Sequence, residues 1–192
     1  MHAASVGPAV QIVDPLPQVQ IMRPLSLCFL LLASCSTLAQ RGQTLTGEAA
    51  RSQFARLSAL EGKWYTVDDT QEGPVLIYES IAAGHAVAET VFPGQPEQMV
   101  TVYYLEGDTL TLVHYCAVGN RPRMVARPKD GVDLYFDLDG DGGLSSLDEM
   151  HMHSAEFHFG GPNHMRQAWA LFEGGVQTGS HDPDLERRPA LD

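Results

Sequence analysis

Residues 99–124 read "MVTVYYLEGDTLTLVHYCAVGNRPRM", and the fold follows from how this stretch alternates. Two runs rich in β-branched, aromatic and apolar residues flank Gly107-Asp108, a pair suited to a tight reversal. Within the second run, Leu110, Leu112, His114 and Cys116 share one face, while Thr109, Thr111, Val113 and Tyr115 take the other. The more apolar face of such a strand packs inward. Here the inward face ends on a histidine and a cysteine.

The same grammar repeats in both directions. "KWYTV", "PVLIYESIA" and "AVAETVF" precede this hairpin; "RMVARP", "VDLYFDL", "HMHSAEFHF", "HMRQAWALFE" and "VQTGSH" follow it. Gly84, Pro93-Gly94, Asp130-Gly131, Gly160-Gly161-Pro162 and Gly174-Gly175 punctuate them. Short strands with turns every ~8–12 residues predict an all-β protein. The tight connections favour an up-and-down meander. Closure removes edges that the chain could not otherwise protect, so the expected fold is a closed antiparallel barrel of about ten strands. One short helix precedes it: Thr46 can cap, Glu48 sits in the first turn, Ala50, Phe54, Leu57 and Leu60 form a stripe, and Gly62 stops it. The barrel domain is expected over 47–182, after a linker at 40–46 and before a tail at 183–192.

The beginning of the chain has a different logic. From Met22, "MRPLSLCFLLLASCSTLAQ" gives an arginine, an apolar run over 25–33, and then small residues. That run is too short to span a bilayer and suits an export signal over 22–39, with 1–21 an untranslated or disordered extension. Leu32-Ala33-Ser34-Cys35 matches a bacterial lipobox, which would lipidate Cys35 and anchor the protein to the cell envelope; cleavage after Ala39 is the alternative. Either way Cys116 is left alone, and no disulfide framework is implied. The formal charge of −12, with only Lys63 and Lys129 as lysines, would repel phosphate backbones and anionic lipid. Nucleic-acid partners are disfavoured, and membrane contact is expected through a lipid anchor only.

The helix leading into "LEGKW" (residues 60–64) resembles the calycin barrels: lipocalins, fatty-acid-binding proteins and nitrobindin-like haem proteins. More closely, "AAGHAVAETVFPG", the run over 99–124, "HMH" and Trp169 resemble an uncharacterised bacterial family of exported calycin-like proteins. The resemblance covers roughly residues 50–182, with departures at Glu106, Val113 and Arg121. It implies a ligand-holding barrel and supplies no function, because fold analogy does not carry one.

By alternation His151, His153, Ala155, Phe157 and Phe159 share a face, so His114, Cys116, His151 and His153 are all expected to line the lumen. Glu89 is a weaker candidate, in phase with Val87 and Val91. His-x-His is a zinc-ligand spacing, but the two histidine strands lie three steps, or ~14 Å, apart in a meander. A haem or another small, largely apolar ligand between them fits more easily than one zinc. Arg123 would meet an acidic ligand at the barrel mouth or pair with a surface carboxylate. The alternatives are an enzyme, metal-dependent or using a Cys116–His114 nucleophile pair, and a calcium-stabilised structural module. In "DLDGDGGLSSLDE", Asp137, Asp139, Asp141 and Asp148 occupy positions 1, 3, 5 and 12 of a calcium-loop pattern. Gly143 at position 7, Asp148 at position 12 and flanking strands count against it, and a Gly/Asp-rich hairpin turn is the plain alternative.

Overall fold

The structure, a computed structural model, describes residues 42–68 and 72–188. The signal segment, Cys35 and everything else expected of residues 1–41 lie outside the described residues. Among the described residues no helix is long and apolar enough to cross a membrane.

Among the described residues eleven strands form one antiparallel sheet: β1 (Gly62–Thr66), β2 (Leu76–Ile81), β3 (Ala86–Val91), β4 (Met99–Glu106), β5 (Thr109–Tyr115), β6 (Arg123–Arg127), β7 (Leu134–Leu138), β8 (His151–Gly161), β9 (His164–Glu173), β10 (Val176–His181) and β11 (Asp184–Arg187). Each of β1 to β9 pairs with its neighbour in sequence, as the short glycine-rich turns dictate. The other edge of β9 then serves two partners: β10 along its C-terminal part and β11 along its N-terminal part. β11 also pairs with β1, through Trp64↔Arg187, Tyr65↔Glu186 and Thr66↔Leu185. Ten strands therefore close into a barrel, compatible with a calycin-like fold, while β10 is held by β9 alone among the described strands.

The closing strand falls in the stretch expected to be a tail. "DLER" offers one apolar residue and follows Pro183, so it carries no alternation to read. Leu185 is nonetheless fully buried, because ladders to β1 and β9 satisfy the backbone on both sides.

α1 (Gly47–Ser58) closes one end of the barrel. Leu45 N–H donates to the Ala126 carbonyl at 2.7 Å and Thr46 bridges Thr109, so the incoming chain runs beside the ends of β5 and β6. Thr46 takes the N-cap position with extended backbone, but its hydroxyl makes no capping bond. Ala50 and Leu57 are buried in the core and Phe54 packs against it. On the polar side Gln53 Nε2 donates to the Asp133 carbonyl at 3.0 Å, and Arg51 pairs with Asp108 at 3.0 Å.

Arg187 locks this closed end. Its guanidinium donates to the Ala59 and Glu61 carbonyls at 3.0 Å each, to the Pro162 carbonyl at 2.6 Å and to Asn163 Oδ1 at 3.0 Å. It also lies 5.5 Å over the ring of fully buried Trp64, whose indole N–H donates to the Leu60 carbonyl at 2.8 Å. Gly62 makes room for this. Its φ of +130° suits glycine alone, and a Cβ there would stand 3.2 Å from Arg187 Cδ. Further in, Tyr103, Phe136 and Phe157 are fully buried and meet at tilted and edge-on angles with centroids 5.7–6.1 Å apart.

Arg187→Ala is expected to lower unfolding stability by about 2–4 kcal/mol in urea melts, since charge-assisted bonds and packing on Trp64 go together. Arg187→Lys should recover less than half, because a point ammonium cannot serve four separate acceptors. A lysine variant as stable as the parent would show that charge alone closes this end.

Candidate functional site

The barrel lumen holds one polar row. Strand register aligns Tyr78 with Glu89, Glu89 with Thr101, and Thr101 with His114 across four adjacent strands. All four side chains are buried, and their phase matches that of Val87, Tyr103 and Leu112, which belong to the core. His114 stands one residue from the end of β5, remote from Thr109 where the chain enters α1, while Tyr78 at the other end of the row pairs with Gly62.

Across the lumen β9 supplies the partners. Trp169 packs against His114 with ring centroids 5.1 Å apart. Its indole N–H donates to Gln167 Oε1 at 3.1 Å, and an indole can only donate. That fixes the Gln167 amide, whose Nε2 donates to the Tyr78 hydroxyl. Tyr78 in turn donates to Glu89 Oε2 at 2.9 Å, and Tyr103 donates to the same oxygen. Every donor in the chain points towards the Glu89 carboxyl. Thr101 Oγ1 lies 2.9 Å from His114 Nδ1.

Two atoms of this row have no partner: Glu89 Oε1 and His114 Nε2. Both residues are at most 2% exposed, so water outside the barrel does not reach them. Burial pushes Glu89 up to about 7, against the pull of the Tyr103, Tyr78 and Gln167 hydrogen bonds. Burial also holds His114 down at about 4. At neutral pH the histidine is uncharged and the carboxyl is poised between its two states.

Of the residues expected in the lumen, His114 is there and His151 and His153 are not. A β-bulge between Met152 and Ser154 makes His153 an extra residue in β8. Beyond the bulge Ala155 pairs with Trp169; before it Met152 pairs with Leu171 and His151 with Phe172. His151 therefore sits on the outer face with Phe172. His153 stacks on that ring, 4.0 Å between centroids. His151 Nδ1 lies 2.6 Å from the Glu149 carbonyl and so donates to it, leaving Nε2 to accept from His153 Nδ1 at 3.0 Å. His153 is held below the usual imidazole range by burial, with Asp137 opposing and His151 adding to the shift.

Cys116 lies past the end of β5, half-buried in a turn where its N–H donates to the Asn120 carbonyl at 3.0 Å. No hydrogen bond joins it to His114, whose Nδ1 faces Thr101 and whose Nε2 is unpartnered, so the Cys–His pair is not formed. Arg123 turns outward, paired with Glu106 and Asp139. That pairing occupies Asp139, while Asp137 accepts from the Tyr135 hydroxyl at 3.0 Å and Asp141 from the Gly143 N–H at 2.9 Å. Asp137, Asp139, Asp141 and Asp148 thus belong to a strand end and a turn. Among the described residues no three His, Cys, Asp or Glu side chains gather as a metal site.

Glu89, Tyr78, Tyr103 and Gln167 carry the site more than their sequence signal suggested. The usable sign was a carboxylate and an amide standing in phase with inward apolar residues, Glu89 between Val87 and Val91 and Gln167 between Met165 and Trp169. Comparison with protein-family models, curated proteins and solved structures gives no match for this chain.

The two shifts make opposite contributions to stability. A carboxyl raised from 4.5 to about 7 favours the folded state at low pH, and that advantage is lost as pH rises through this window. A histidine lowered from 6.5 to about 4 costs stability as pH falls from 6.5 towards 4. Each effect is about 3 kcal/mol, so the two offset one another between pH 4.5 and 6.5. Glu89→Gln should therefore unmask a loss of stability on acidification, and His114→Gln a loss on raising the pH. Variant profiles parallel to the parent would contradict both shifts.

Proposed function

We propose that this is a binding protein whose barrel lumen holds a small molecule at the Glu89–Thr101–His114 row. The observation that carries this is the pair of buried, unpartnered atoms, Glu89 Oε1 and His114 Nε2, on one row of inward side chains. An unmet buried polar atom costs ~1–3 kcal/mol, and a ligand able to bond both removes that cost. Two strand steps, ~10 Å between backbones, separate the residues, and side chains converging in a closed barrel shorten the gap between their head groups.

This narrows the ligand from the apolar or haem-like molecule expected from the sequence. The buried residues described include no lysine or arginine to meet the propionates of a haem, and fully buried Trp64, Tyr78, Tyr103, Phe136 and Phe157 occupy the lumen. The residues present do not fit that group. A compact ligand with polar atoms suits the row better.

Kinship with the calycin barrels is part of this proposal, supported by the helix running into Gly62-x-Trp64 at the first strand. Export with lipid on Cys35 is proposed on the sequence over 25–35 alone. In a bacterial host Cys35→Ala should move the protein out of the membrane fraction, and unchanged fractionation would remove the lipid anchor.

Native mass spectrometry of the purified chain at neutral pH is expected to show a small-molecule adduct near one per chain. The Glu89→Gln/His114→Gln double variant should lose it while keeping a cooperative melt. An adduct retained by that variant, or none on the parent, would sink the lumen reading.

A further inference from the structure

Resting on that reading of the lumen, we propose that the buried end of the ligand is a protonated amine, bound by Glu89 Oε1 with Trp169 and His114 beside it. The direction of the hydrogen-bond chain argues for a cation. Trp169 must donate, which orients Gln167, which orients Tyr78 so that its O–H points at Glu89 Oε2, and Tyr103 donates to the same oxygen. A chain of donors converging on a carboxyl is built to hold it as a carboxylate. Yet the buried residues described include no lysine or arginine, so the protein supplies no countercharge there. A buried carboxylate without one is expensive, and the missing charge then belongs to the ligand.

The surroundings agree. The groups bonded to Glu89 or aligned with it are Tyr78 from β2, Tyr103 and Thr101 from β4 and Gln167 from β9; beyond them His114 from β5 is aligned with Thr101, and Trp169 from β9 packs on His114. None of these is cationic at neutral pH, since burial keeps His114 neutral. Aromatic faces attract ammonium groups, and a chain of net charge −12 draws cations from solution. A carboxylate or phosphate ligand would meet Glu89 with no basic group to offset it.

Without ligand, the Glu89 carboxyl takes up a proton below about pH 7. Binding an ammonium then expels that proton to solvent, leaving carboxylate against ammonium, with no bond other than the O–H broken. Amine affinity should rise about tenfold per pH unit below that point and level off above it.

The test uses three probes of one carbon skeleton on the whole chain: n-butylamine, butan-1-ol and butanoate. Calorimetry and thermal shift at pH 6 and pH 8 should show butylammonium binding at least about tenfold more tightly than the alcohol, with butanoate inert. At pH 6, two buffers of different ionisation enthalpy should report close to one proton released per amine bound. In the infrared, the C=O band of the protonated carboxyl, assigned by its absence in Glu89→Gln, should vanish on amine binding. If the alcohol or butanoate binds as well as the amine, or no proton is released, the amine assignment falls while the lumen site stands. If none of the three changes either the melt or the carboxyl band, both readings fall.

Discussion

The guanidinium of Arg187 is the contact on which the rest of the barrel depends. Four acceptors from three places in the chain converge on it: the end of the helix, the approach to β1, and the β8–β9 turn. Three are backbone carbonyls and the fourth is the Asn163 side-chain oxygen, and one planar fork satisfies them together. The same residue is the last rung of β11, paired with Trp64, so one side chain couples barrel closure to the closing of its end. Gly62 is the concession: a backbone conformation that side chains resist, placed where the arginine stem must pass.

With that end sealed, the lumen is asymmetric. Buried aromatic side chains fill much of it, and the polar row runs from Tyr78, opposite Gly62, to His114 near the end of β5. Natural cores rarely keep a carboxyl and an imidazole both buried and incompletely bonded, because each lowers stability. Their costs run in opposite directions with pH, which lets a barrel carry both without a sharp loss of stability between pH 4.5 and 6.5. The donor chain from Trp169 to Glu89 gives the row a polarity of its own.

How much of this was legible in the sequence depends on which interactions are local. The first ten strands announced themselves by alternation and by glycine-bearing turns, which are local signals. β11 did not, since four residues with one leucine become a strand only because two ladders await them. His114 was placed correctly by counting along β5. The same counting failed in β8, where one bulged residue at His153 turned His151 to the other face; inserting a residue shifts phase without changing the local pattern. Cys116 lies one residue past the end of β5 at Tyr115, where alternation no longer assigns a face. Of the Glu89 network only the inward phase of Glu89 could be read; its partners could not, because they rest on register across four strands and on a partner strand about eighty residues away.

The most direct measurement is a high-resolution crystal structure of the protein as purified, judged by the density between Glu89 Oε1 and His114 Nε2. The account predicts density for an ordered molecule larger than water within hydrogen-bond distance of the carboxyl oxygen. Direct contact between the two side chains, or density fully explained by water, would contradict it.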